Sequence, residues 1–145
     1  MAVKAIPEGY STVSPYLIVN GAAKVIDLLT QAFGGTEKFR MPKPDGSIGH
    51  AEVQLGDSVI MIADAAPPEF PAMPACVHVY VTDCDAVYKR ALQFGAVSTR
   101  EPADQFYGDR NAGVKDPGGN QWWISTHKED LSPEEIEKRA KAAMK

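Results

Sequence analysis

The chain has 145 residues, with 15 lysines and arginines against 19 aspartates and glutamates, for a formal net charge of −4. That length suits one domain with a real hydrophobic core, and the acidic balance leaves no basic footprint for nucleic acid. No apolar run approaches the roughly 18 residues of a membrane span, the N-terminus shows no signal-peptide pattern, and two cysteines make no disulfide framework, so a reducing, cytoplasmic setting is expected.

Residues 1–11 read as a loose leader with a Pro-Glu-Gly turn at 7–9. Thr12–Val19 predicts the first strand, and Ala22–Phe33 the first helix, with Val25, Ile26, Leu29 and Phe33 on one face and Gly34 as its stop. A second strand is expected over Thr36–Met41, followed by a turn at PKPDGS. Ile48–Leu55 and Ser58–Ala63 form a hairpin over Gly56-Asp57, where glycine supplies the positive φ of a tight turn. Asp64–Ala75 holds prolines at 67, 68, 71 and 74. Proline lacks the amide donor that a ladder needs, so this stretch reads as a semi-rigid, exposed connector.

Beyond the connector the pattern returns. Cys76–Thr82 predicts a strand, Asp83 or Asp85 caps a helix ending at Phe94, and Val97–Glu101 predicts a shorter strand. Tyr107–Lys115 and Gln121–Thr126 make the last hairpin, turned by DPGGN at 116–120. Ser132-Pro133-Glu134-Glu135 opens a final helix to about residue 144 as a capping box, with Ile136, Ala140 and Met144 as a weak apolar stripe. Phe33-Gly34 and Phe94-Gly95 align at an offset of 61, and Val19 and Val81 at 62; Gly49 is matched with Gly108 and Met61 with Trp123. The reading is an α+β domain spanning 1–145: a βαβββ module over about 12–63, the connector 64–75, a second module over about 76–126, and the C-terminal helix.

Two βαβββ halves, the Phe-Gly helix ends and KDPGGN before a terminal strand resemble the vicinal oxygen chelate superfamily of glyoxalase I, extradiol dioxygenases and bleomycin-resistance proteins. GHAEVQLGDSVIMIAD at 49–64 and WWISTHKEDLSPEEI at 122–136 are similar to its PhnB-like branch. The resemblance implies curved mixed sheets, a small-molecule ligand on their concave face, and a homodimer that often pairs modules between subunits. It also implies a metal site on the first and last strands of each module. Those positions fall on Ser14, Met61, Cys76 and Trp123, none of which brings the His or carboxylate donors of such a site, so no metal or other cofactor is expected there.

Side chains alternate along a strand. His50, Glu52 and Gln54 share one face; if Cys76 points inward, so do His78 and Tyr80, and the alignment adds Ser14, Tyr16, Met61 and Trp123. Three readings of His50, Glu52 and His78 stay open: ordinary polar residues on a half-solvated sheet, substrate-binding or acid–base groups, or a displaced metal site. Of Trp122 and Trp123, one is expected in the core and one at the pocket. Arg110 reads as a surface ion pair or as the anchor of an anionic ligand, and Cys76 as a small buried hydrophobe. The candidate ligand-binding set is therefore His50, Glu52, Met61, Cys76, His78, Tyr80, Arg110 and Trp123. Two functions follow: a binding or resistance protein that sequesters its ligand, or a lyase, isomerase or dioxygenase-like enzyme built on His50, Glu52 and His78. Nothing in the sequence carries a dinucleotide fingerprint or a phosphate loop.

Overall fold

Tyr16 faces Met61 across two parallel strands, and 62 residues further along His78 faces Trp123 in the same way. The computed structural model describes residues 2–144 and shows that this repeat organises the molecule. The first module comprises β1 (Tyr16–Val19), α1 (Ala22–Gln31), β2 (Thr36–Pro42), β3 (Ile48–Leu55) and β4 (Ser58–Asp64), in the sheet order β1-β4-β3-β2. The second comprises β5 (Cys76–Tyr80), α2 (Cys84–Gln93), β6 (Val97–Asp104), β7 (Asp109–Lys115) and β8 (Gln121–His127), in the order β5-β8-β7-β6. The helix α3 (Pro133–Ala143) follows.

Each helix starts on a side chain from the last strand of its own module. The Ala22 amide donates to Asp64 Oδ1 at 2.9 Å, and the Cys84 amide, 62 positions on, donates to Thr126 Oγ1 at 2.8 Å. First-turn amides lack partners within a helix. Asp64 is needed because Gly21, which precedes α1, has no side chain to cap with. Its other oxygen accepts from the Ile48 amide at 2.7 Å and fixes the start of β3 as well. Helix α2 has a second cap in Asp83, which accepts from the Ala86 amide.

One hydrophobic cluster runs through both modules: Leu17, Val19, Val53 and Ile62 under α1, and Ala112, Val114, Trp122 and Ile124 under α2. Phe33 meets Trp122 edge to face at 5.1 Å between ring centroids, and Arg90 Nε on α2 donates to the Ala32 carbonyl. A Cβ at Gly118 would lie 2.9 Å from Val19 and Val25, so only glycine lets the β7–β8 turn seat against the first module. Each large aliphatic side chain buried here contributes about 1.5–3 kcal/mol. The helix-covered faces thus form the shared core, which leaves the opposite sheet faces free.

Several expectations need correcting. The first strand is shorter than Thr12–Val19, and α1 ends at Gln31. The pairs Ala51–Ile62 and Ala112–Ile124 align the modules so that Gly49 corresponds to Arg110 and not to Gly108. β6 runs on to Asp104 through Pro102, which an edge strand with bulges tolerates. Ser132 does accept from the Glu135 amide, but the Glu135 carboxylate pairs with Arg139 rather than completing the capping box. The connector does more than span: the Met73 amide donates to the Ile18 carbonyl at 2.8 Å, and the Ala65 amide to that of Val19. The leader is not loose at Tyr10, whose hydroxyl donates to Glu52.

Candidate functional site

On the open face of the first sheet, alternation brings His50 and Glu52 of β3 beside Met61 of β4 and Tyr16 of β1, with Phe39 and Met41 of β2 at their flank. A hydrogen-bonded chain links four of these groups. His50 Nε2 lies 2.9 Å from Glu52 Oε2, His50 Nδ1 lies 2.9 Å from the Tyr16 hydroxyl, and Tyr10 donates to the other Glu52 oxygen. An ionised carboxylate only accepts, so Nε2 donates to Glu52, and the tautomer that this selects leaves Nδ1 to accept from Tyr16. The Tyr10 hydroxyl, and next the His50 bond, hold the Glu52 carboxyl below its ordinary range; the same Tyr10–Glu52 bond raises the Tyr10 phenol. Lys38 lies 4.2 Å above the Tyr10 ring.

The open face of the second sheet is built differently. His78 donates to or accepts from Ser125 Oγ at 2.6 Å and meets Tyr80 edge to face at 4.7 Å. Trp123 pairs with Gly113, and a Cβ on that glycine would stand 2.8 Å from Trp123 Cζ3, so the missing side chain gives the indole room to approach the sheet. The Arg100 guanidinium is 5.4 Å from the Trp123 ring centroid. Asn111 Nδ2 donates to the Tyr107 hydroxyl at 2.6 Å, whereas Asn111 Oδ1 is buried with no partner among the described residues. His78, Arg100, Tyr107, Asn111 and Trp123 surround a hollow of about 310 Å³.

The predicted set is thus divided between two faces. His50, Glu52 and Met61 lie on the first sheet; Cys76, His78, Tyr80 and Trp123 lie on the second. His50 and Glu52 touch each other, but His78 sits on the other sheet, so the three do not form one cluster within the chain. Among the described residues no three His, Cys, Asp or Glu side chains are grouped to hold a metal ion. Ser14, Met61, Cys76 and Trp123, the positions that the resemblance assigns to a metal, bring no His or carboxylate donor. Arg110 leaves the cleft altogether: it shares the helix-covered face with Ala112 and Val114 and pairs with Asp85 of α2 through two bonds of 2.8 and 3.0 Å. Cys76 is exposed; the buried cysteine is Cys84, whose thiol is pushed up to about 11 by burial. Trp122 fills the core and Trp123 the open face.

Tyr10, Arg100, Tyr107 and Asn111 escaped the sequence reading. Strand alternation would have found Asn111, two residues from Gly113 on β7; the docking of Tyr10 had no local signal. A larger hollow, about 560 Å³, lies between the modules beneath β5, where Val77, Val79 and Val81 face Leu55 and Ile60. Asp57, Ser58, Thr82 and Arg90 add polar walls; His78 and Tyr80 also border it, whereas the His50–Glu52 chain does not. A third hollow of about 340 Å³ lies between Tyr16, Ile18 and Phe70 of the connector.

Paired βαβββ modules with polar and aromatic open faces define a class, and residues 11–124 match its family model. The chain belongs to the Glyoxalase/Bleomycin resistance protein/Dioxygenase superfamily. It is 33% identical over 147 residues to an uncharacterized protein of Mycobacterium bovis, covering 94% of each chain, and equally identical to one of Mycobacterium tuberculosis, covering 94% of this chain and 84% of that protein. Among solved structures, TioX from Micromonospora sp. ML1 is similar with a TM-score of 0.65 and 24% identity, covering 84% of this chain and 100% of that one. A glyoxalase/bleomycin resistance protein/dioxygenase from Nocardioides gives 0.62 and 20%, covering 90% of each chain. At these identities the structural likeness shows the fold.

Proposed function

We propose that this protein binds a small organic molecule on its open sheet faces, as a cytoplasmic, PhnB-like member of the superfamily, with no metal at the family's usual positions. One observation carries the reading: the helix-side faces of both sheets pack into the shared core, apart from the β5 valines at the hollow between the modules, while the opposite faces present His50, Glu52, His78, Tyr80 and Trp123 together with half-exposed Tyr16 and Phe39. Such mixed aromatic and polar lining suits an amphipathic ligand. The 49–64 and 122–136 segments support the branch, and two unpaired cysteines support the compartment.

A screen of aromatic acids, phenols and heterocycles by thermal shift tests this. Hits should be lost in Trp123→Ala, and His50→Ala should weaken ligands that reach the first sheet by about 1–2 kcal/mol, the loss of one buried hydrogen bond, without lowering the melting temperature. Hits indifferent to Trp123→Ala, or a His50→Ala that melts early while binding normally, would overturn the reading. Elemental analysis of the same preparation should find no stoichiometric zinc, nickel, manganese or iron after dialysis, and EDTA should leave its melting temperature unchanged.

The Tyr16–His50–Glu52 chain favours a second reading, an acid–base enzyme that uses His50 and Glu52 without His78. A hydroxyl, an imidazole and an orienting carboxylate within hydrogen-bond reach is an arrangement that moves protons. A turnover lost in both His50→Gln and Glu52→Gln, with ligand affinity retained, would select it.

A further inference from the structure

We propose that the hollow on the second sheet takes a planar aromatic carboxylate that also carries an N–H or O–H donor, an inference that rests on reading the open faces as binding surfaces. Three separate features specify the three parts of that ligand. The first is the exposed side of Trp123. Gly113 lets the indole approach the sheet, and an indole face is a stacking surface for a ring system. With a volume of about 310 Å³ the hollow is at the small end for ligand sites and suits one or two fused rings.

The second feature is charge. Arg100 lies over that ring, 5.4 Å from its centroid, and has no carboxylate partner among the described residues, whereas Arg40, Arg110 and Arg139 are paired with acids and Arg90 bonds the Ala32 carbonyl. A guanidinium offers a planar fork matched to a carboxylate. Asp109, an acid on the same sheet, is occupied by His127 and Tyr80. One free cation at the rim matches a single negative charge.

The third is Asn111. The residue is 5% exposed and lines the hollow, its Nδ2 donates to Tyr107, and its Oδ1 takes no hydrogen bond among the described residues. Buried acceptors are nearly always satisfied, and leaving one unmet has a cost that a ligand donor removes. The corresponding position on the first sheet is His50, whose polar atoms are already committed to Glu52 and Tyr16. The second sheet alone therefore asks for a donor.

Isothermal titration of the full chain with indole-3-acetate, 1-methylindole-3-acetate and indole-3-acetamide separates these features. The first probe has ring, charge and donor; the second lacks the donor and the third the charge. Indole-3-acetate should bind at least tenfold more tightly than either analogue and shift the Trp123 indole N–H resonance. In Arg100→Gln, an exposed substitution, acetate and acetamide should become equivalent while N-methylation still weakens binding. Equal affinities for the three probes in the wild type would overturn the ligand class and leave the binding surface standing. Absence of any heat or resonance shift would overturn the inference too. The binding surface itself fails only if the screening hits above ignore Trp123→Ala.

Discussion

His127 stands between two carboxylates, with Nδ1 2.7 Å from Asp109 Oδ1 and Nε2 2.8 Å from Asp130 Oδ1. The Asp109 bond, and next the Asp130 bond, raise its pKa above the ordinary 6.5. A raised folded value means that the charged ring favours the folded chain. The contribution is complete below about 6.5 and is lost as pH rises through the raised value. NMR titration should therefore place His127 above an ordinary histidine, and Asp109→Asn should bring it down; an unchanged midpoint would show that Asp109 does not hold it. Residues such as these mark what the sequence could not disclose, since nothing local links 127 to 109. Arg110 is the opposite case. Its alternation with Ala112 and Val114 was readable, and it placed the guanidinium against α2 rather than in the cleft.

At the scale of elements, the KDPGGN turn is an example of a motif whose outline was legible and whose work was not. Asp116, buried between β7 and β8, accepts from the Gly118 and Asn120 amides, from Asn120 Nδ2 and from Trp122 Nε1, all at 2.8–2.9 Å. Asn120 in turn accepts from the Ala75 amide at the end of the connector. The proline and two glycines announced a turn; that its carboxylate would tie a core tryptophan to the chain depends on packing that no local pattern encodes. Asp116→Ala leaves several buried donors without partners. Denaturant unfolding should show a loss of roughly 2–4 kcal/mol, with the near-ultraviolet dichroism of Trp122 weakened before unfolding. A loss under 1 kcal/mol would mean water replaces the carboxylate.

The strands were largely predictable because period-two alternation and turn residues act over a few positions, and the repeat followed from comparing the halves. How the halves meet was not. Both sheets give their helix sides to one core, so Tyr80, Val97, Phe39 and Met41, each about half exposed or more, remain on open faces or edges. A partner subunit laid on these faces would cover them. We expect a homodimer that sets the first sheet of one subunit over the second sheet of its partner, which would bring His50 of one chain near Trp123 of the other. Light scattering should give about twice the 15.7 kDa of the chain; the monomer mass across micromolar concentrations would rule the pairing out.

The bridge from Met73 to Ile18 has a further consequence. Strands β1 and β5 are counterparts in the repeat, and each lies at the margin of its sheet. The proline-rich segment lies along β1 and occupies part of its outer hydrogen-bonding row, but no such bridge covers β5 among the described residues. Exposed rows of backbone donors and acceptors recruit extended chain from other molecules. The prolines cannot continue a ladder themselves, which makes them a seal as well as a tether. Of these two counterpart margins, β5 is therefore the one left open to extended chain from another molecule, and β1 the one that is sealed.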